Sequence, residues 1–298
     1  MSGVADWLRD VTGCQSVHAG EVLDGATTAT VQGYLAIRAD GTVEPVVVKV
    51  YDLGIEGVGA DDVRRDAAAM TAAAEIGVRA PLVVDADPDG DRLGSPAIVM
   101  TRLHGTPRGA GGSDPSAWVE GLADELARIS AAPMPRHALS NWEPWFALPL
   151  HAPAWATDPG LWRDMEAALA DPLPHAAPRF IHRDYHPLNV LWDGDDVAGT
   201  VDWVNGCIGP IESDVASCRL NIAVSDRTID GWALADEFVE CCVDRGVPWH
   251  PAWDLDVIAG AARPESMLAN AEAGADLTVA SIREAYETGI RRALDALG

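Results

Sequence analysis

Lysine is almost missing from this chain. Of 21 basic residues only Lys49 is a lysine, and the remaining twenty are arginines. Positive charge as a whole is scarce: 46 acidic side chains leave a formal net charge of −25. Such a surface repels nucleic-acid phosphates and anionic lipid, so neither is an expected partner. It suits a cationic ligand, and it serves solubility equally well. Cysteines number five, an odd count without paired-ligand spacing, which favours reduced thiols over disulfides or a zinc site. No run reaches the roughly 18 apolar residues of a membrane helix, and Met1 to Asp6 lacks the basic-then-apolar order of a signal peptide, so a cytoplasmic protein is expected. Internal repeats and low-complexity segments are absent too. What is present, 48% apolar residues over 298 positions, is enough for one large domain or two lobes with a packed core.

Where a generic surface cation suffices this chain uses arginine, so a solitary lysine points to a need for a compact ammonium on a flexible stem. Lys49 lies in Val46-Val47-Val48-Lys49-Val50-Tyr51, a β-branched run, where a charge is costly to bury without a partner. The preceding run, Val31 to Arg38, pairs with it about Ala39-Asp40-Gly41. Earlier still, Val4 to Val11 fits a short amphipathic helix stopped by Gly13. Two β-prone runs follow around a small hydroxyl-rich turn that includes Thr27 and Thr28, a composition suited equally to a phosphate-covering loop and to an ordinary hairpin. Asp61 to Ile76 reads as a helix capped by Asp61 and stopped by Gly77. Asp66 in its first half is the candidate partner for Lys49. Glu75 is half a helical turn away from Asp66, so both cannot face the lysine.

Leu82 to Asp85 and Ser95 to Thr101 read as strands. The β pattern then breaks at Arg102-Leu103-His104-Gly105, where a hinge is expected at about residues 100–105, dividing a lobe of residues 1–103 from one of residues 104–298. Asp114 caps a helix lined by Trp118, Leu122, Leu126 and Ile129. Proline and tryptophan crowd the next stretch, up to Pro159, which favours a structured loop whose tryptophans cover a core or stack on a ligand. Helices are expected from Glu212 to Ala223, Asp230 to Arg245, Asp254 to Ala273 and Thr278 to Leu297.

The densest chemistry lies between Phe180 and Trp203. Asn189 to Trp192 and Val197 to Val201 read as two strands joined by Asp193-Gly194-Asp195-Asp196, a hairpin turn. That hairpin brings Asp184, Asn189 and Asp202 together, three oxygen-bearing side chains able to hold a hard divalent ion and position a hydroxyl. His182-Arg183-Asp184 followed by Asn189 fits the pattern H-R-D-x-x-x-x-N of kinase catalytic loops.

Together with Val201-Asp202-Trp203 and Gly209-Pro210-Ile211-Glu212-Ser213-Asp214, this stretch resembles the aminoglycoside phosphotransferase family, relatives of choline and homoserine kinases. The resemblance implies an α+β, bilobal protein-kinase-like fold: an N-terminal antiparallel sheet with one helix, and a mostly helical C-terminal lobe carrying the catalytic hairpin. It implies a Mg2+-dependent phosphotransferase that uses ATP or GTP to phosphorylate a hydroxyl of a small molecule, an antibiotic of aminoglycoside-like type or a metabolic amino sugar, nucleoside or amino alcohol. Lys49, paired with Asp66, would hold phosphates under a loop containing Thr27 and Thr28. Met100, Arg102 and Leu103 would meet the base. Asn189 and Asp202 would hold magnesium, Asp184 would be the catalytic base, and His182 and Asp214 would organise the loop. Glu212, Asn205, Glu265 and Trp203 are the candidates for the acceptor.

Three features depart from the family pattern. Asp66 stands where glutamate is usual, the phosphate loop carries no clear family signature, and Met100-Thr101-Arg102 lacks an acidic residue, leaving ATP against GTP open. A competing chemistry takes His182, Asp184 and His186 as ligands of a hydrolytic metal, but leaves Asn189 and Lys49 without a role.

Overall fold

The computed structural model describes residues 2–23, 28–109, 114–225, 230–261 and 278–298. Helix α1 (Ser2–Thr12) leads into an antiparallel sheet of β1 (Ser16–Leu23), β2 (Ala29–Ile37), β3 (Val43–Tyr51), β5 (Ala97–Thr101) and β4 (Val83–Asp87), in that spatial order. The period of β3 decides what each face does. Val46 and Val48 face α1, packing with Trp7, Leu8, Ala97 and Val99, whereas Val47 joins Ile98 and Met100 in the main core. Lys49 and Tyr51 share the side of Val47 by the same alternation. The β2–β3 turn closes with Ile37 opposite Val43, and Gly41 takes a φ of 83° that a side chain would disfavour.

Helix α2 (Ala60–Glu75) buries Val63, Asp66, Ala69, Met70 and Ala73, an i, i+3, i+4 stripe over the sheet. Asp61 does not cap it. Gly59 is the N-cap residue, and its N–H donates to Asp62 Oδ2 at 2.8 Å, so the carboxylate one residue later serves the helix end. Glu75 points elsewhere, accepting from the Arg136 N–H.

After Thr101 the chain gives one more short strand, β6 (Thr106–Pro107), where the sequence pattern suggested only a break; it edges the hairpin of β8 (Val190–Asp193) and β9 (Asp196–Thr200). Helices α3 (Pro115–Ala131), α4 (Pro159–Ala168), α5 (Glu212–Ser225), α6 (Gly231–Asp244), α7 (Ala252–Ala261) and α8 (Val279–Leu297) build the rest. Asp114, Asp158, Asp230 and Thr278 cap four of them. The proline-rich stretch before α4 holds no helix among the described residues; a single bridge from Asn141 to Ile208 ties it to β10 (Cys207–Gly209), which pairs with β7 (Arg179–Ile181). The continuation of α7 expected up to Ala273 falls outside the described residues.

The α+β expectation holds, an antiparallel sheet with helices followed by a mostly helical region. The main core runs between them, from Val47, Met70 and Met100 to Tyr185, Trp203 and Phe238. Most tryptophans serve cores: Trp7, Trp118, Trp203 and Trp253 are almost fully buried. No helix among the described residues is long and apolar enough to cross a membrane.

Candidate active site

Lys49 is buried, and its Nζ lies 2.9 Å from Asp66 Oδ2 and 2.7 Å from Asp202 Oδ1. One carboxylate comes from the helix over the sheet and the other from the end of β9, so a single ammonium ties three elements together. Tyr51, two residues on and thus on the same strand face, donates its hydroxyl to Asp66 Oδ2 at 2.7 Å. Asp66 is one methylene shorter than the glutamate usual in the family, and the short Lys49 contact shows that α2 sits close enough to compensate. Burial alone would lower the Lys49 pKa, but Asp66 and Asp202 overcome it and hold the ammonium well above its ordinary range. Burial likewise opposes ionisation of Asp202, and Lys49 outweighs it, keeping the carboxyl below its ordinary value.

The catalytic-loop motif is held from behind. His182 is completely buried: its backbone N–H donates to Asp214 Oδ2 at 2.8 Å and its ring Nε2 lies 2.9 Å from the Val201 carbonyl. Burial lowers the His182 pKa, so the ring is neutral, and Nε2 facing a carbonyl carries the proton. Burial also pushes Asp214 up to about 7. Asn189 closes the turn Pro187–Asn189, its amide nitrogen 3.0 Å from the Asp184 carbonyl, while its N–H bonds to the His186 carbonyl. The Asp184 carboxylate is itself one-third exposed.

Among the described residues only two non-glycine residues have positive φ, Arg183 at 67° and Asp202 at 64°. One immediately precedes Asp184 and the other is Asp202 itself. A left-handed L-residue costs on the order of 1–2 kcal/mol, and such cost concentrates where local geometry serves function.

Magnesium takes oxygen donors and keeps several positions for water and phosphate. With the Asn189 nitrogen turned to the Asp184 carbonyl, its Oδ1 remains the donor atom, and Asp202 has a second carboxylate oxygen beyond the one on Lys49. Two protein oxygens at adjacent ends of one hairpin fit that ion. The hydrolytic alternative does not survive the geometry: His182 Nε2 is taken by the Val201 carbonyl, and no group of three or more His, Cys, Asp or Glu able to hold a metal occurs among the described residues.

Several expected contacts are corrected by packing. Trp203 stacks on Phe180 with centroids 5.2 Å apart and donates Nε1 to the Thr200 carbonyl; fully buried, it has no face left for an acceptor. Glu212 is buried and accepts from the Ala176 N–H at 2.6 Å, so it anchors the strand entering the loop. The Arg102 N–H goes to the Pro45 carbonyl and its guanidinium to Glu21, which removes both from a nucleotide base. Met100 is buried within the β3–β5–β4 ladder; Leu103 follows just beyond the sheet. Thr28 sits at the entry of β2, its carbonyl accepting from Asp52. Thr27 and Glu265 lie outside the described residues.

Asn205 does border a cavity, of about 500 Å3, lined also by Arg65, Ser140, Asn141, Glu143, Trp145, Arg183 and Val204. A second, of about 770 Å3, shares Asn141 and Pro144 with it and extends to Trp253 and Asp256. Sequence reasoning missed these walls, because they come from an irregular loop whose path has no periodicity. Tyr51 was within reach, since two-residue spacing from Lys49 fixes its face.

A bilobal arrangement with a lysine strand, a paired helix carboxylate and this hairpin is the protein-kinase-like fold. Within it, the chain belongs to the phosphotransferase enzyme family, whose profile matches residues 32–240. A homoserine kinase of Rhodopseudomonas palustris (strain TIE-1) is 36% identical over 180 residues, 54% of this chain and 53% of that protein. One from Brucella anthropi is 34% identical over 137 residues, 43% and 42% of the two chains. The chain thus spans about half the length of the curated relatives it matches. Among solved structures, the aminoglycoside phosphotransferase APH(4)-Ia superposes with a TM-score of 0.67 at 16% identity, covering 97% of this chain and 98% of that one. The macrolide 2'-phosphotransferase MphH of Brachybacterium faecium gives 0.56 at 15% identity over the same shares. At such identities the likeness concerns the fold.

Proposed function

We propose that this protein is a magnesium-dependent small-molecule kinase, transferring the terminal phosphoryl group of ATP or GTP to a hydroxyl of an antibiotic of aminoglycoside-like or related type. The observation that carries it is the Lys49 ammonium held between Asp66 and Asp202, at the end of the hairpin that also carries Asp184 and Asn189. Phosphoryl transfer asks a protein chiefly for position and charge neutralisation. Lys49 binds the α- and β-phosphates, with Asp66 and Tyr51 fixing its place. Asn189 and Asp202 hold magnesium, which supplies neutralisation of charge on the phosphate oxygens. Asp184, exposed beside them, orients the acceptor hydroxyl and takes its proton. His182 and Asp214 keep the loop in shape through the buried bonds described above. Residues 1–103 form the nucleotide lobe and 104–298 the acceptor lobe, with residues 100–105 as the hinge.

A metabolic reading is favoured by one observation: the smaller cavity presents Arg65 and Arg183, which suit a carboxylate-bearing amino alcohol such as the homoserine of the relatives. An ADP-release assay with magnesium and ATP or GTP, run across aminoglycosides, macrolides, nucleoside antibiotics, amino sugars, choline-like alcohols and homoserine, tests both. Release with an antibiotic supports the first reading, release with homoserine alone supports the second, and release with no acceptor in a wide panel overturns the kinase assignment.

A further inference from the structure

The larger cavity differs in character from the smaller one. Its walls are the loop carrying Trp142, Phe146 and Leu148, the segment from Leu169 to Pro178, strand β10 and helix α7. Trp142 and Trp253 meet edge to face there, centroids 5.3 Å apart. Gly209 makes room for them, since a Cβ on it would lie 2.4 Å from Trp142 Cβ. At about 770 Å3 it suits a ligand of drug size.

One charged side chain sits deep in this apolar space. Every residue of α7 from Ala252 to Gly260 is buried, and the helix carries two aspartates two positions apart. Asp254 is satisfied by an ion pair with Arg219. Asp256 lines the cavity, is 6% exposed, and its Oδ1 is buried without a hydrogen bond; no ion pair reaches it among the described residues. A buried carboxylate whose nearest cation, the Arg183 guanidinium, stands beyond ion-pair distance is costly, and a cation arriving in the cavity relieves that cost. The adjoining smaller cavity is lined by Arg183, the residue before Asp184 in the chain.

We propose that the larger cavity seats the acceptor and that Asp256 selects one with a largely apolar, ring-bearing body and a single basic nitrogen. The proposal rests on the phosphotransferase reading. It narrows the acceptor proposed above to the related types and away from the polyamine sugars themselves, which would bring several ammonium groups against Trp142, Phe146, Leu148, Leu173 and Trp253. The ammonium pairs with Asp256 and lies near the indole faces, where a cation is further favoured. Burial pushes the Asp256 carboxyl up to about 7, opposed by Arg183, so the pair forms above neutrality. The other titratable groups facing the cavity are Asp171 and His175, both exposed at its rim.

The test measures binding of two probes of nearly equal shape, 2-phenylethylamine and 2-phenylethanol, to the full chain by calorimetry. Near pH 8.5 the amine is expected to bind wild-type protein about tenfold more tightly than the alcohol or better, the size of a charge-assisted hydrogen bond. That advantage should vanish in Asp256→Asn and shrink in the wild type near pH 5.5, where Asp256 takes up a proton; the wild-type minus variant comparison isolates Asp256 from every other group. Leu173→Trp, which fills the cavity without touching the carboxylate, should weaken both probes together. Equal binding of the two probes, absence of binding, or an amine preference retained in Asp256→Asn overturns the assignment. Neither nucleotide nor turnover enters this measurement. An amine preference without ADP release therefore sinks only the kinase reading, and turnover without the preference sinks only the cavity assignment.

Discussion

Replacing Lys49 by methionine should destabilise the free protein strongly. Methionine keeps the length of the side chain and removes the charge, leaving Asp66 almost fully buried with Tyr51 as its remaining donor. Asp202, whose side chain is 38% exposed, can recover solvation, so the loss comes mainly from Asp66. Removing one partner of a buried pair costs about 3–5 kcal/mol; the surviving Tyr51 bond places this case near the lower end, about 3 kcal/mol. Against a total stability of about 5–15 kcal/mol that is a large fraction. With a urea m-value of about 3 kcal/mol/M, the midpoint should fall by about 1 M. Equilibrium urea unfolding followed by tryptophan fluorescence reads it. The double variant Lys49→Met/Asp66→Asn, which removes the stranded charge as well, should regain most of the loss. A midpoint within about 0.3 M of wild type, or a double variant no better than the single, would refute the account of Lys49 as the cation of a buried pair.

Other expectations follow from the same geometry. Asp184→Ala should abolish phosphoryl transfer while nucleotide binding by calorimetry persists, and near-normal turnover would sink the base assignment. Lys49→Arg should not restore activity, because a planar guanidinium cannot take the ammonium's place between Asp66 and Asp202; wild-type rates would make the lone lysine an accident of composition. Gly206→Ala should destabilise by about 1–3 kcal/mol and depress activity, since the new Cβ would lie 2.7 Å from Ala69 Cβ and push α2, with Asp66, off the sheet. Asp256→Asn should be more stable than wild type at pH 8. The folded pKa of about 7 exceeds the ordinary 3.8, so the wild-type contribution is fully present below about pH 4 and is lost as pH rises through 7. That loss is at most about 4 kcal/mol. Thermal midpoints of the two proteins should therefore diverge as pH rises from about 4 to 7 and stay apart above it, the parallel titrations of Asp214 and Asp254 cancelling in the difference.

Much of this molecule was legible from residue order because it rests on short-range rules. The cost of burying Lys49 in a β-branched run called for a partner, helix spacing showed that Asp66 and Glu75 could not both supply it, and Asp-Gly chemistry marked the hairpin at Gly194. The failures came where long-range packing decides. Trp203 and Glu212 are polar or amphipathic residues beside the motif, so they read as ligand contacts, yet the chain folds them inward onto Phe180 and Ala176. Asp61 yielded its capping role to Gly59 and Asp62 because the helix begins one residue earlier, a boundary that sequence fixes only loosely. Asp256 looked like any helix aspartate. Its place in a cavity wall depends on how α7 packs against the loop before α4, and no local pattern records that.

The burial of the one lysine side chain also makes the protein its own chemical reporter. Apart from the amine at the chain's start, Lys49 is the only primary amine available to acylating reagents, and it is 5% exposed and held by two carboxylates. Mass added by an amine-directed reagent beyond the label on that terminal amine therefore reads the release of Lys49 from its two carboxylates, with no background from other lysines. A nucleotide analogue bearing such a group would count occupied sites one by one.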